Sequence, residues 1–185
     1  MPDIRDTDIP DVKLVTIRKF EDARGFFSET YNERDWKKAG ILETFVQDNH
    51  AYSVLKHTVR GLHFQIEPFE QAKLVRVMRG AIFDVAVDIR KSSPHFGKHV
   101  TAVISADAWN CIYIPPGFAH GLCTLEPHTE VLYKVNKYYS TEHDKGLLWN
   151  DPDVAIDWPV SAEKAILSDR DQRHPRLKDL PHVFA

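Results

Sequence analysis

The sequence contains only two cysteines, Cys111 and Cys123, and they are not spaced as a Cys-x-x-Cys pair. Two thiols at this spacing indicate neither a disulfide framework nor a zinc site, so both are predicted to be reduced core residues. No apolar run is long enough to cross a membrane. The first ten residues carry four charged side chains where a signal peptide would need an apolar stretch. These absences predict a cytoplasmic protein that has no membrane partner.

The chain also lacks an excess of charge of either sign. Its 24 Lys and Arg nearly balance its 27 Asp and Glu, and the two signs are interspersed along the sequence. This pattern predicts no broad basic face for nucleic acid or anionic lipid. There is no Gly-rich phosphate loop either, so an anionic small molecule would have to be bound by side chains. Arginine suits bidentate phosphate contacts, and the candidates are Arg24, Arg60 and Arg170.

Short apolar segments separated by turn residues are abundant. Many short strands with little helix predict a mainly β protein, either a sandwich or a jelly-roll barrel. One helix is predicted before the tail, over residues 33–39, with Asn32 as its N-cap and Gly40 as its end. A single domain over residues 1–185 is expected from the length, with the segment after Trp149 packed across the barrel. The predicted strands are 12–18, 25–31, 45–50, 58–65, 72–79, 82–88, 99–105, 110–114, 120–124 and 130–138.

Strand alternation places Lys73 on the same face as Val75 and Val77, while Leu74 and Arg76 take the other face. A lysine directed into a barrel is costly unless it is paired or hydrogen-bonded, and such a position marks a functional charge. The alternative is an edge strand with Lys73 in water. The sequence alone leaves both interpretations open.

His63 and Tyr133 are the residues best suited to proton transfer. A histidine in a strand is more often structural, but histidine is also the usual base near neutral pH when a carboxylate orients its other nitrogen. Tyr133 shares a face with two valines, which is typical of a core tyrosine whose hydroxyl needs a partner. As an acid facing His63, it would deliver a proton to the opposite side of a substrate carbon. From periodicity alone, Asp171 is predicted to be only a solvated residue of the tail.

Residues 114–121 form a Pro-x-Gly-x-x-His pattern that ends at His120 and is familiar from the second motif of cupin barrels. In cupins, that histidine often binds metal together with a His-x-His pair from the first motif. The corresponding first segment here, residues 61–65, has His63 without a second histidine. Because catalytic metals usually take three protein ligands, the sequence predicts a site without metal.

Taken together, the motifs resemble the dTDP-4-dehydrorhamnose 3,5-epimerase family over nearly the whole chain and in the same order. The residues that carry this resemblance are Arg24-Gly25-Phe26-Phe27-x-Glu29, Gln47-Asp48-Asn49, Arg60-Gly61-Leu62-His63, Gln71-Ala72-Lys73-Leu74-Val75, Pro115-Pro116-Gly117-Phe118-Ala119-His120-Gly121, Tyr133, Trp149-Asn150-Asp151-Pro152 and Ser168-Asp169-Arg170-Asp171.

The resemblance implies a cupin-like jelly roll with a few short helices that acts as a homodimer without metal or cofactor. Its implied reaction inverts carbons 3 and 5 of dTDP-4-dehydro-6-deoxy-D-glucose on the way to dTDP-rhamnose. By position, the implied base is His63 with Asp171 as its partner, the acid is Tyr133, and Lys73 lies near the ketone. The implied substrate-binding residues, some from the neighbouring subunit, are Arg24, Glu29, Gln47, Asp48, Asn49, Arg60, His120, Asp144 and Arg170.

Two positions depart from what the resemblance implies. Asp144 stands where a glutamate is common in the family. Strict alternation would also put Arg60 and His63 on opposite faces, so a bend or bulge is expected near Gly61.

Three alternative functions stay open: an epimerase that acts at one carbon only, a metal-dependent cupin oxygenase, and a non-catalytic sugar-binding barrel.

Overall fold

The computed structural model describes residues 2–181 and 184. Thirteen strands, one α-helix and two short 3-10 helices make up its regular structure. The strands are β1 Asp3–Asp6, β2 Lys13–Thr16, β3 Phe20–Asp22, β4 Gly25–Phe27, β5 Gln47–Ser53, β6 Val59–Gln65, β7 Lys73–Arg79, β8 Ala81–Asp88, β9 His99–Ser105, β10 Asn110–Ile114, β11 Phe118–Thr124, β12 Thr129–Val135 and β13 Asp144–Gly146. The helices are α1 Glu33–Lys38 and the 3-10 turns Asp171–Arg173 and Leu177–Asp179.

Two antiparallel sheets form the body of the protein. The six-stranded sheet has the order β1-β2-β10-β7-β12-β5, and the five-stranded sheet has the order β13-β6-β11-β8-β9. Apolar side chains from both sheets meet in one buried cluster, which includes Val75 and Val131 from the first sheet and Ile82 and Ile104 from the second. The prediction of a mainly β jelly roll is confirmed.

Strand β7 lies inside the larger sheet, between β10 and β12. Its alternation is the predicted one, because Val75 and Val77 enter the cluster between the sheets while Leu74 joins a second cluster with Trp36 of α1. Lys73 is only 8% exposed. The interpretation of Lys73 as an inward-facing residue is therefore confirmed, and the edge-strand alternative is wrong.

A bulge in β6 places Arg60 and His63 on the same face, although strict alternation would put them on opposite faces. His63 is opposite His120 of β11, whereas Arg60 is opposite Leu122, so a step of two residues on β11 matches a step of three on β6. Arg60 and His63 consequently face the same side of the sheet. The bulge expected near Gly61 is confirmed.

Helix α1 begins at Glu33, as predicted, and ends at Lys38, one residue before the predicted end. The Asn32 side chain accepts a hydrogen bond from the Asp35 N–H at 3.4 Å, and Gly40, with φ of 99°, follows the last turn. The buried Trp36 anchors the helix to the outer face of the larger sheet.

The strand predictions were wrong at several ends. The predicted strand 25–31 stops at Phe27, because β4 pairs only with β3 in an exposed two-stranded hairpin. The predicted strand 130–138 stops at Val135, after which the Asn136 side chain accepts a hydrogen bond from the Ala72 N–H at 2.7 Å. Strands β1, β3 and β13 were missed because each is only three or four residues long and mostly polar.

The segment after Trp149 packs across the five-stranded sheet, as expected. Ile166 forms a bridge with Thr58, and the Asp151 carboxylate accepts a hydrogen bond from the Leu177 N–H at 2.6 Å. Leu177 and Leu180 pack against a cluster that contains Leu62 and other residues of that sheet. No helix in residues 2–181 is long and apolar enough to cross a membrane.

We expect Gly61→Ala to lower the free energy of unfolding by about 2 kcal/mol more than Gly25→Ala. Both glycines have positive φ, 118° and 126°, so both substitutions strain the backbone. A Cβ at Gly61 would lie 2.7 Å from the Gly121 Cα, whereas a Cβ at Gly25 would meet nothing within 4 Å. Urea unfolding of both variants measures the difference, and equal losses would contradict a close strand contact at Gly61.

Candidate active site

A cavity of about 320 Å³ lies between the two sheets, under the tail. The five-stranded sheet contributes Arg60, His63 and His120, and the larger sheet contributes Lys73 and Tyr133. The tail closes one side with the residues Ser168, Arg170 and Asp171.

A second cavity of about 240 Å³ adjoins the first, because His63, Lys73 and Tyr133 line both. It extends the space towards six further polar side chains. These are Gln47, Asn49, Gln65, Gln71, Tyr139 and Asp144. We call the two cavities together the cleft.

Asp171 is hydrogen-bonded to His63, with 2.6 Å between the carboxylate Oδ1 and the imidazole Nε2. Asp171 is 4% exposed, and its N–H donates to the Ser168 hydroxyl at 3.1 Å. Burial opposes its ionisation, but the nearby His174 imidazole and the hydrogen bond from His63 outweigh this and hold the pKa of Asp171 below its ordinary value. The carboxylate thus fixes the ring of His63 and leaves Nδ1 as the nitrogen that can take up a proton.

Burial lowers the pKa of His63, although the hydrogen bond and charge of Asp171 oppose the shift. A lowered pKa keeps the imidazole neutral at physiological pH. A neutral, oriented imidazole beside a cavity is suited to act as a general base.

The Lys73 ammonium lies close to His63. Its Nζ donates to the His63 carbonyl at 3.3 Å. Burial lowers the pKa of Lys73 to about 8, against the opposing charges of Asp144 and Asp84. Lys73 is therefore mostly charged at pH 7, and its charge is held in a dry site where it acts strongly on a ligand.

Tyr133 faces the cleft from β12, in the sheet opposite His63. Burial raises the pKa of Tyr133, while the nearby Arg60 charge opposes the shift. The phenol is therefore protonated at neutral pH and can donate a proton.

His120 is held by Asp84, a residue that sequence reasoning missed. The His120 Nε2 donates to Asp84 Oδ2 at 2.9 Å, and the Asp84 side chain is fully buried. The signal was present in the sequence, because Asp84 interrupts the apolar run of β8. A charged residue inside a buried strand requires a partner.

Arginine and carboxylate groups converge at the rim of the cleft. Arg170 pairs with Asp144 at 2.7 Å, and the Tyr139 hydroxyl donates to the same carboxylate at 3.0 Å. Asp144, although shorter than the glutamate common at this position, therefore reaches its arginine. Arg60 is held in place by the Ser53 hydroxyl at 3.1 Å.

Residues 6–179 match the family model described as dTDP-4-dehydrorhamnose 3,5-epimerase. The chain belongs to this family. An epimerase of that name from Sinorhizobium fredii is 49% identical over 176 residues, which cover 95% of this chain and 90% of the relative.

Solved structures agree with this assignment. The dTDP-4-dehydrorhamnose 3,5-epimerase of Bacillus anthracis, crystallised with TDP and PPi bound, is 49% identical with a TM-score of 0.92, covering 95% of this chain and 99% of that one. The dTDP-6-deoxy-D-glucose-3,5-epimerase of Legionella pneumophila, in complex with dTDP-4-keto-L-rhamnose, is 38% identical with a TM-score of 0.93. This match covers 98% of this chain and 95% of that one.

Three of the predicted site residues of this epimerase lie away from the cleft. Arg24 pairs with Asp22 on the exposed β3–β4 hairpin. Glu29 lines a separate cavity beside α1, and Asp48 pairs with Lys134 at 2.7 Å on the exposed face of β5. Within this chain, the structure does not bring these residues to the other ten predicted positions.

His174 is a second residue that sequence reasoning missed. Its ligand atom and those of His63 and Asp171 lie within 4.8 Å of one another, the geometry of a possible metal cluster. His63 and Asp171 are already hydrogen-bonded to each other, however, at a distance shorter than two ligands of one ion prefer. A site without metal stays a prediction.

We expect Lys73 to lose its proton near pH 8, because burial disfavours the charged form. Activity should then fall as the pH rises through about 8, since the neutral amine no longer supplies a positive charge. Initial rates across pH test this, together with ¹³C NMR of the lysine Cε resonance that disappears in Lys73→Met. Lys73→Arg, which stays charged, should lose the alkaline limb; a limb unchanged in that variant would contradict the assignment.

Proposed function

We propose that the protein inverts carbons 3 and 5 of dTDP-4-dehydro-6-deoxy-D-glucose to give dTDP-4-dehydro-L-rhamnose. The observation that carries the proposal is that His63 and Tyr133 line one cleft from opposite sheets, with the buried Lys73 in the same space. Inversion needs a base on one side of the carbon and an acid on the other, and this cleft supplies both. The names of the relatives, which include dTDP-4-dehydrorhamnose and dTDP-6-deoxy-D-glucose, support a dTDP-linked deoxy sugar as the substrate.

In the first step, the His63 Nδ1 removes the proton from a carbon next to the ketone. The electron pair of the broken C–H bond moves into the ketone, whose oxygen becomes an enolate. Asp171, bound to the His63 Nε2, stabilises the imidazolium that forms. The step needs no metal or cofactor, because the ketone itself accepts the electron pair.

Lys73 stabilises the enolate oxygen as its charge develops. Its ammonium is fixed before the reaction by the His63 carbonyl and by the surrounding apolar residues. A preorganised donor in a dry site typically contributes several kcal/mol to the transition state, on the order of 3 kcal/mol.

Tyr133 then protonates the same carbon from the opposite face, which inverts it. Its raised pKa keeps the proton available until the enolate requires it. After proton exchange with solvent restores acid and base, the cycle repeats at the second carbon. The sugar must be repositioned between the two cycles, and the nucleotide remains bound at the rim.

The rim contacts suit the nucleotide. Arg60 and Arg170 can pair with the diphosphate, and Gln47 and Asn49 offer amide groups beside Tyr139. The Tyr139 hydroxyl donates a hydrogen bond to Asp144, and the Tyr139 backbone N–H donates to the Gln47 side chain at 3.1 Å. An aromatic ring fixed in this way suits stacking on a base.

We expect His63→Asn to abolish deuterium incorporation at both carbons when the folded protein is incubated with substrate in deuterium oxide. Tyr133→Phe should lose inversion while some exchange persists, because the base still removes the proton. NMR of the sugar measures exchange and configuration together. Wild-type exchange in His63→Asn would remove His63 from the role of base.

The same experiment decides between the open alternatives. Inversion and exchange at one carbon only would identify a single-site epimerase. Nucleotide-sugar binding with no exchange would identify a binding protein. Inversion at both carbons by protein free of metal would exclude the oxygenase.

We also propose that the active unit is a homodimer in which Arg24 and Glu29 complete the partner's cleft. The support is their placement outside their own cleft, on and beside a hairpin whose Phe26 and Phe27 are 52% and 69% exposed. The absence of nucleic-acid and membrane partners and the cytoplasmic location stay predictions, as does the single domain.

Mixing two inactive variants tests this arrangement. If Arg24 acts in the partner's cleft, dimers that combine Arg24→Ala with His63→Ala have one intact cleft of two. Equal mixing after subunit exchange should then give about a quarter of the wild-type activity. If Arg24 acted in its own cleft, no mixture would regain activity. Mixing His63→Ala with Tyr133→Phe, two residues of one cleft, is the matched control and should regain none.

A further inference from the structure

His174 lies directly after the 3-10 turn that carries Asp171, and its side chain is 10% exposed. Its Nε2 is buried and has no hydrogen-bond partner among the described residues. The Asp171 Oδ1 lies 3.5 Å from this nitrogen and is the same oxygen that binds His63 at 2.6 Å. One carboxylate oxygen thus faces two imidazoles.

The position of His174 is built into the surrounding backbone. Gly146 of β13 is paired with His63 of β6, and a Cβ at Gly146 would collide with the His174 ring. The carbonyl of the next residue, Pro175, accepts a hydrogen bond from the Leu148 N–H at 2.8 Å. The ring therefore fits against the strand pair that carries His63, and its edge meets the His63 ring at a centroid distance of 5.5 Å.

We propose that His174 is a positioning residue that holds the Asp171 carboxylate against His63 and offsets part of its charge. The inference deepens the proposed function, because His63 is the proposed base. With its proton on Nε2, His174 donates towards Asp171 and leaves less negative charge to stabilise the His63 imidazolium. Without this donor, the carboxylate would bind the imidazolium more strongly and His63 would become a less available base.

The direction follows from the interactions of Asp171. The His174 imidazole, 3.5 Å from the carboxylate, and the hydrogen bond from His63 together lower the pKa of Asp171 against its burial. Removing His174 leaves His63 as the only imidazole at Oδ1, so the pKa of His63 should rise. The other ionisable groups that line the cleft with His63 and Asp171 are unchanged by such a variant; they are Arg60, Lys73, His120, Tyr133, Tyr139, Asp144 and Arg170.

His174→Leu removes the donor and replaces the ring with an apolar side chain of moderate size. We expect the midpoint of the His63 Cε1–H titration by NMR to rise by about 0.5–1 pH unit in the free protein. The acid limb of kcat/KM should move to higher pH by the same amount, since the base is active only when deprotonated. His174→Gln, whose side-chain amide can still donate, should restore most of the wild-type midpoint.

Asp171→Asn is the control in the opposite direction, because loss of the carboxylate should lower the His63 midpoint. A midpoint unchanged in a folded His174→Leu protein would overturn the inference, as would a shift that His174→Gln does not reduce. If the leucine variant does not fold, His174→Asn, whose amide is too short to reach Oδ1, replaces it. The titration needs no substrate, so failure of the proposed reaction and failure of this inference give separate results.

Discussion

The close approach of β6 and β11 at Gly61 and Gly121 determines where the charged groups of the cleft can lie. A Cβ on Gly61 would lie 2.7 Å from the Gly121 Cα, and a Cβ on Gly121 would lie 2.9 Å from the Arg60 carbonyl oxygen of β6. The extra residue of β6 at this point turns Arg60 to the side on which His63 already faces. Without the bulge, the arginine would point away from the cleft, so one backbone irregularity places the proposed base, His63, beside a cation suited to phosphate.

Burial of charge is the second requirement, and the structure meets it by pairing. Asp171 with His63, Asp84 with His120 and Asp144 with Arg170 each hold a carboxylate whose isolated burial would cost several kcal/mol, on the order of 3 kcal/mol or more. The pKa values of Lys73 and Tyr133 are instead shifted mainly by desolvation. The same apolar surroundings that make these two groups costly to bury give them pKa values suited to their proposed roles.

Local sequence patterns predicted what depends on neighbouring residues. Alternation in β7 placed Lys73 correctly because its valine neighbours must enter the core. Asn32 and Gly40 marked the ends of α1 because caps are local. The bulge at Gly61 followed from a conflict between alternation and the family's motif, which only an extra residue could resolve.

What local patterns could not predict depends on contacts between distant segments. Nothing near Asp171 in the sequence indicates that it is buried, since its burial comes from the tail crossing β6 more than a hundred positions away. The resemblance to a family supplied that residue. It did not supply His174 or Asp84, whose roles became visible only when their partners were placed.

The cleft is therefore assembled from two kinds of structural element, the strands of the sheets and the tail. Tyr133 and Lys73 stand on paired strands of the larger sheet, where hydrogen bonds on both sides fix the backbone. Asp171 and His174 stand on a tail whose regular structure around them is limited to two short 3-10 turns. It follows that the proposed acid, Tyr133, and the proposed enolate-binding cation, Lys73, are fixed by the sheet, whereas the strength of His63 as the proposed base depends on how the tail is docked. Changes in the tail should alter proton removal while leaving proton delivery intact.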